Sequence, residues 1–456
     1  MDFREKVLEY EEDFLKNLRR LVRIPSFEGE KEREAPFGMN PRLALEEALK
    51  ISEELGFKTK NIENAIGYAE YGNHESEDYI GIIGHIDVVK EGENWTYPPF
   101  DMTRVGDRLF GRGVLDNKGP TLSTLYALKI LKDMDLKLDR NVRIIFGTNE
   151  ETGFKDIKYY LDKEKPPVMG FTPDCKFPVV YGEKGVVQIK LSKKLEGSNS
   201  KIFEIKGEFA NNIVPSSIEI GFKKWDLEEL KGLNHPSLKI EERLDKTSLI
   251  FKGKGAHGKS PEEGDNAITS LSNILADSKM EEGEVKEFFS FVNKVFHEKH
   301  FGEGCNLEFQ DESGKLVINP YKMYFLENEI GLVLQIRYPV GLKYEEIYNK
   351  LEFLSKENNL EIEILKRLDS VNMDREGKLI KTLERVYEFV TGNDGKAVPT
   401  TGGTYAKVMP NIVAFGPSIG GMDGNPHMAD EFIDIEELRI NMEVFCRAIY
   451  ELANTK

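Results

Sequence analysis

The chain reads as an α/β protein: a mixed, largely parallel sheet flanked by helices, interrupted by an inserted α+β domain. Three observations predict this. Short apolar runs rich in β-branched residues, DYIGIIGHIDVV at 78–89 and NVRIIFG at 141–147, have the pattern of strands buried on both faces. Helical patterns alternate with these runs, as a parallel sheet requires. After about Gly185 the text changes to alternating strands dense in Lys and Glu, and the first style returns near residue 371.

Taken in order, residues 5–24 predict a helix with Leu8, Phe14, Leu15, Leu18, Leu21 and Val22 on one apolar stripe. A second helix over 43–55 is stopped by Gly56. The run at 78–89 is the first buried strand. A helix follows over 116–134, with Pro120 near its first turn. The next strand ends in the polar loop NEETG at 149–153. Residues 1–185 and 371–456 therefore predict one discontinuous sheet domain. Residues 186–370 predict the insertion, with strands VVQIKL, SLIFKG, GLVLQIRY and EIEIL and helices near 262–277, 283–297 and 343–356. Beyond it come a helix over 376–391, the glycine-rich TTGGTYA, a strand NIVAFG and a last helix over 435–452.

Composition narrows the function classes. The 456 residues are 39% hydrophobic, enough for large cores, so wholesale disorder is excluded. Lys and Arg number 63 against 80 Asp and Glu, a net charge of -17. That excess of anions argues against nucleic acid as a partner. Cys175, Cys305 and Cys446 form no CxxC pair, which speaks against a thiolate metal site or a disulfide framework. No apolar run approaches the ~18 residues of a membrane span, and no signal-peptide pattern opens the chain, so a cytoplasmic protein is expected.

Five residues are candidate metal ligands, each at the end of a predicted strand or just before a helix: His85, Asp116, Glu151, Asp174 and His427. In open α/β sheets that edge is where ligands bind. His85 and Asp87 lie two apart and so face one side of a strand, where a carboxylate can hold a ligating ring. Each residue also has a plain reading: a core histidine bonded to its neighbour Asp, an N-cap at Asp116, a solvated loop at Glu150 and Glu151, an Asx-turn at Asp174, a surface histidine at 427. Two histidines and three carboxylates without cysteine suit two divalent cations, zinc or manganese, with cobalt also compatible. A further carboxylate must then take a proton from water, and Glu150 stands next to a ligand.

The ordered series HxD, GRGxxDxKG, NEExG, PD and a late PHxxDE resembles the co-catalytic metallopeptidases of the aminoacylase, desuccinylase and dipeptidase superfamily. PDCKFPVVYGEKG at 173–185 is most similar to its PepV-type dipeptidases. The resemblance covers nearly the whole chain. It implies a zinc-peptidase-like catalytic domain with an inserted lid. His85, Asp116 and Asp174 would hold one metal, and Asp116, Glu151 and His427 the other. Asp87 would orient His85, and Glu150 would be the general base. The bond Asp116–Asn117 would be cis. NIVP at 212–215, GAHGKSP at 255–261 and IRYP at 336–339 resemble lid elements. They imply Asn212 as a substrate contact, His257 as the oxyanion donor and Arg337 as a clamp for the substrate carboxylate. TGGTYA resembles the loop that meets the substrate's C-terminal end, which implies Gly402, Gly403 and Thr404.

The expectation is a metal-dependent dipeptidase acting on unblocked peptides by attack of a water bridging two metals. The same site motifs serve an N-acyl amino acid deacylase or desuccinylase, and a metal- or peptide-binding protein without turnover is a third class. In the PepV type the long insertion supplies the lid histidine and arginine from the same chain, so the resemblance implies that a monomer can be complete, and a homodimer is compatible.

Overall fold

The computed structural model describes residues 2–72, 77–195, 200–223, 233, 235–242, 246–278, 282–326, 328–420 and 424–455. The chain forms two compact units, Met1–Gly182 with Met373–Lys456, and Glu183–Asn372.

A mixed sheet runs through the first unit. Its order is Lys58–Ile62, Ile66–Tyr71, Asn141–Gly147, Tyr79–His85, Met169–Thr172, Ile412–Ala414 and Val180–Glu183. The middle of the sheet is parallel: Tyr79–His85 runs with both Asn141–Gly147 and Met169–Thr172, and Ile412–Ala414 runs with Met169–Thr172. All seven residues of Tyr79–His85 are buried, as an apolar β-branched run covered on both faces should be. Helices Arg4–Val22, Lys118–Asp133 and Ile435–Ala453 pack on one another, with Lys118–Asp133 buried on nearly all sides. This explains the apolar character of its sequence all round. A Cβ at Gly84 would lie 2.0 Å from the Thr121 hydroxyl, so glycine is what lets this helix start directly against the strand that ends in His85.

The structure trims several expected elements. The first helix buries Val7, Phe14, Leu18, Leu21 and Val22, while Leu8 is 48% exposed on the outer flank of the stripe. The strand expected over 78–89 ends at His85, because the chain must then turn out of the sheet edge. The helix expected over 262–277 is split. Pro261–Glu263 is a 3-10 turn, and the α-helix is Ala267–Asp277, started by Asn266, whose side chain accepts from the N–H of Ile268 and Thr269.

The second unit is antiparallel. One sheet has the order Val317–Leu326, Glu329–Tyr338, Gly185–Lys194 and Glu361–Leu368, and the other Ile202–Lys206, Ser217–Lys223, Lys246–Lys252 and Leu238–Glu242. Alternate residues of Gly185–Lys194, Val187, Ile189 and Leu191, are fully buried. They join the helices Ala267–Asp277 and Gly283–Phe296 in a second hydrophobic core. Among the described residues no helix is long and apolar enough to cross a membrane.

Candidate metal centre

The parallel strands all end on one edge, and the chemistry collects there. His85 is the last residue of its strand. Glu150 and Glu151 follow Asn141–Gly147, and Asp174 follows Met169–Thr172. Asp116 precedes helix Lys118–Asp133 across a cis peptide bond to Asn117. The Asn117 amide donates to the Pro173 carbonyl, 2.5 Å, and accepts from the Thr121 hydroxyl, 2.7 Å, so one side chain stitches the Asp116 turn to the Asp174 loop. His427 comes from the loop before Phe432–Asp434, with φ +62°, a backbone region that non-glycine residues rarely adopt.

Two groups of donors result. His85, Asp116 and Asp174 have ligand atoms all within 4.8 Å of one another, and so do Asp116, Glu151 and His427. Asp116 belongs to both. Its Oδ1 lies 3.0 Å from His85 Nε2, and its Oδ2 lies 3.0 Å from His427 Nε2. Asp174 Oδ1 is 3.5 Å from His85 Nε2, and Glu151 Oε2 is 3.1 Å from His427 Nε2.

The electrostatics follow from burying this much like charge. Burial alone would pull His85 down, but Asp174, Asp116 and Asp87 hold it well above the usual imidazole range. Hydrogen bonds to Asp116 and Glu151 raise His427 to about 11. Burial pushes Asp174 up to about 6 and Asp87 to about 7. Burial, then Asp174, drives Glu150 well above the ordinary carboxylate range. Asp116 goes the other way: burial raises it, but His427 and His85 outweigh that and hold it well below.

The donor set fits divalent cations. His85 Nδ1 lies 3.0 Å from the Asp87 carbonyl, which can only accept, so the ring proton is committed there. The Nε2 lone pair then meets carboxylate oxygens, and lone pairs at 3.0 Å require a positive charge between them, a proton or a metal. Imidazole and carboxylate donors at such separations match ions with bonds of ~2.0–2.2 Å.

Sequence reading gave Asp87 a simpler part than the one it plays. The His85 ring is held by the main-chain carbonyl of Asp87, while the Asp87 carboxylate lies 3.6 Å from Nδ1. Its oxygens accept from the backbone N–H of Glu150, 3.2 Å, and Glu151, 3.1 Å. Nor does Asp116 cap the helix that follows it; Asn117 occupies that position and no side chain caps there.

Glu431 was missed although it closes the PHMADE motif. It is fully buried and pairs with the equally buried Arg112, 2.7 Å. Its Oε1 accepts from the N–H of Gly113, Leu115 and Asp116 at 2.9, 3.0 and 3.1 Å. One carboxylate thus shapes the whole GRGVLD turn that presents Asp116. Lys118 is buried as well, and its ammonium donates to the Leu21 and Ile24 carbonyls at the end of the first helix. The motif's own charged residues, Arg112, Lys118 and Glu431, were the available signal.

In the second unit, Asn212, His257 and Arg337 are neighbours. Ile213 and His257 form an isolated antiparallel bridge, and the Asn212 carbonyl accepts from the Gly258 N–H, 2.7 Å. The Lys259 N–H donates to His257 Nδ1, 3.0 Å, which leaves the ring proton on Nε2. Burial, then the charges of Lys259 and Arg337, hold His257 below its ordinary value. Arg337 sits in Glu329–Tyr338 between Val186 and Val317 of the adjacent strands. The Gln335 amide, turned to satisfy both ends, donates to the Asn211 carbonyl, 2.7 Å, and accepts from Arg337 Nη2, 3.3 Å. In the first unit, Gly402 and Gly403 are exposed. Thr404 is buried, and its side chain accepts from the Ala406 N–H, 3.1 Å.

Comparison with known proteins agrees with this architecture. The chain is 32% identical to "Putative dipeptidase YtjP" of Bacillus subtilis (strain 168), over 99% of this chain and 100% of that one. It is 30% identical to a "Putative dipeptidase" of Staphylococcus epidermidis (strain ATCC 12228 / FDA PCI 1200), over 99% of each. The crystal structure of human carnosine dipeptidase 1 shares the fold with a TM-score of 0.61 at 15% identity, over 99% of each chain. So does the Bacillus subtilis YXEP protein, described as a dinuclear metal binding peptidase, with a TM-score of 0.53 at 12% identity over 98% of this chain and 99% of that one. Residues 81–451 match peptidase family M20/M25/M40, and this chain belongs to that family.

Proposed function

We propose that this peptidase is a metal-dependent dipeptidase that hydrolyses unblocked dipeptides with two divalent cations, zinc or manganese, cobalt suiting the same ligands. The observation that carries the reading is the pair of donor trios sharing Asp116, with Glu150 next in sequence to one of them. The names of the full-length relatives support the substrate class. His85, Asp116 and Asp174 would hold one cation, and Asp116, Glu151 and His427 the other. Bound there, the cations would supply Lewis acidity, acidifying a water molecule and polarising the scissile carbonyl.

The remaining work falls to the chain's own residues. Glu150 takes the water's proton and returns it to the leaving amine. A carboxylate can both accept and release a proton in this way. Asp87 fixes Glu150 and Glu151 through their backbone amides and His85 through its carbonyl. His257, neutral and carrying its proton on Nε2, is the hydrogen-bond donor for the oxyanion. Arg337 takes the substrate carboxylate through its planar fork, with Asn212 beside it. The loop of Gly402, Gly403 and Thr404 meets the substrate's C-terminal end.

The test measures amine release by metal-stripped protein with manganese or zinc restored, from a free L-dipeptide and from the matching N-acetyl amino acid. Metal-dependent cleavage of the dipeptide alone is expected. Cleavage of the N-acetyl compound alone moves the protein to the deacylase class. Binding of metal without turnover of either overturns the enzymatic reading. Glu150→Ala should keep both metals and lose about 10²–10⁴ in kcat; retained turnover would sink the base assignment.

A further inference from the structure

Four successive backbone amides, Thr148 to Glu151, donate to just two carboxylates. Asp87 takes the last two. Asp156 takes the first two, its Oδ2 accepting from Thr148 N–H, 2.8 Å, and Asn149 N–H, 3.3 Å. Asp156 is fully buried, and its Oδ1 accepts from the Ile157 N–H, 2.9 Å. The fourth donor to Asp156 comes from far along the chain: the hydroxyl of Tyr405, also fully buried, donates to Oδ2 at 2.5 Å. That hydroxyl lies hard against the strand end. A Cβ at Gly147 would meet it at 1.8 Å, so Gly147 is what admits it. Tyr405 is the next residue after Thr404, at the close of the glycine loop.

From this geometry we infer that Tyr405 and Asp156 are a positioning pair for Glu150, tying the glycine loop to the loop that carries the general base. The inference rests on the reading of Glu150 as that base. The physical argument is one of saturation. A buried carboxylate is stable only when its lone pairs are engaged. Asp156 has three amides and one hydroxyl, and the hydroxyl is the only donor of the four that a side-chain change can delete. Without it, Oδ2 holds the Thr148 and Asn149 amides with one donor fewer to offset its desolvation. Those two amides lead directly into Glu150. The Asn149 side chain closes the same loop, accepting from the Lys155 N–H, 3.1 Å, and donating to the Thr152 hydroxyl, 2.5 Å, so movement at 148–149 is passed along it. Neither Tyr405 nor Asp156 belongs to a donor trio. The pair acts on where Glu150 sits, and a base displaced by a fraction of an ångström loses rate without losing substrate.

The experiment compares wild type, Tyr405→Phe, Asp156→Asn, the double variant and Glu150→Ala as metal-loaded enzymes on one dipeptide. Metal content and amide hydrogen exchange across 148–151 are measured in parallel. Tyr405→Phe is expected to lower kcat roughly tenfold. KM should stay within about twofold, metal content should not change, and exchange at 148 and 149 should be faster. The double variant should be no slower than the slower single, because the two residues act as a unit. A wild-type kcat in Tyr405→Phe overturns the inference. So does a loss that appears in KM with exchange at 148–151 unchanged, which would make Tyr405 a substrate contact. If Asp156→Asn does not fold, the Tyr405→Phe measurements decide alone. Retained turnover in Glu150→Ala removes the base reading and this inference with it. Loss of turnover there beside a wild-type Tyr405→Phe overturns the positioning pair only.

Discussion

The first unit gathers three carboxylates and two imidazoles, and three of the five are held by further bonds: the Asp87 carbonyl on His85, Glu431 on the Asp116 turn, and the Asp87 carboxylate on Glu151, which it shares with Glu150. The second unit gathers an arginine, a histidine and an asparagine, of which His257 and Asn212 are exposed and held by main-chain contacts of their loops. One cluster is anionic and over-determined, as suits groups that must surround cations at fixed distances. The other is cationic and carried partly on loops, as suits groups that meet a substrate carboxylate and a developing oxyanion. On the proposed function, the contrast teaches that cation binding and substrate recognition would be separable in this chain. Changes to the first cluster should alter metal content, and changes to the second should leave it alone.

The strongest way to break that division is Asp116→Ala. Asp116 serves both donor trios, so metal content by elemental analysis should fall below one per chain and turnover should vanish; two metals retained would refute the shared role. Next comes His257→Ala, expected to lower kcat by about 10²–10³ at full metal content. A loss of metal in that variant would erase the distinction between the clusters. A smaller effect is expected for Arg337→Lys. An ammonium keeps the charge but not the fork, and loss of one charge-assisted hydrogen bond is worth about 1.5 kcal/mol, roughly tenfold in KM. A change confined to kcat would contradict the clamp.

The smallest effect is the pH dependence of stability. His257 sits below its ordinary value of 6.5 in the folded chain, through burial and then Lys259 and Arg337. Below pH 6.5 the unfolded chain therefore binds a proton that the folded chain refuses, and stability falls as pH falls. His257→Gln removes this component. Urea midpoints at pH 7.5 and pH 5 should show wild type losing more stability on acidification than the variant. Equal losses would mean the ring titrates as it does in water.

Much of the fold class was legible because its signal is local. IGIIGH and RIIFG are apolar, β-branched and short, and their length and β-branching favour a covered strand over a buried helix. The five donors were legible as candidates because each stands at the end of a predicted strand or just before a helix. Harder to read were the bonds that hold the donors. Arg112 and Glu431 are 319 residues apart, and Tyr405 and Asp156 are 249 apart. A buried carboxylate that accepts backbone amides leaves no periodic trace in the sequence, because any residue but proline supplies the amide. Asp87 shows the same limit. Its position beside His85 was plain, yet its carboxylate turned toward amides 63 and 64 residues away. The helix start at Ala267 was blurred because Pro261 and Asn266 both offer a beginning, and only the Asn266 hydrogen bonds decide between them.

The order in which the donors are written has a consequence for biosynthesis. His85, Asp116 and Asp174 are all present once residue 174 has been added, whereas Asp116 and Glu151 must wait for His427. At roughly 5–20 residues per second, the interval between residues 174 and 427 lasts tens of seconds, and the whole second unit is made within it. A ribosome-bound chain therefore carries one donor trio long before the other. The arrival of His427, with Glu431 four residues behind it to grip the Asp116 turn, is the event after which both trios exist.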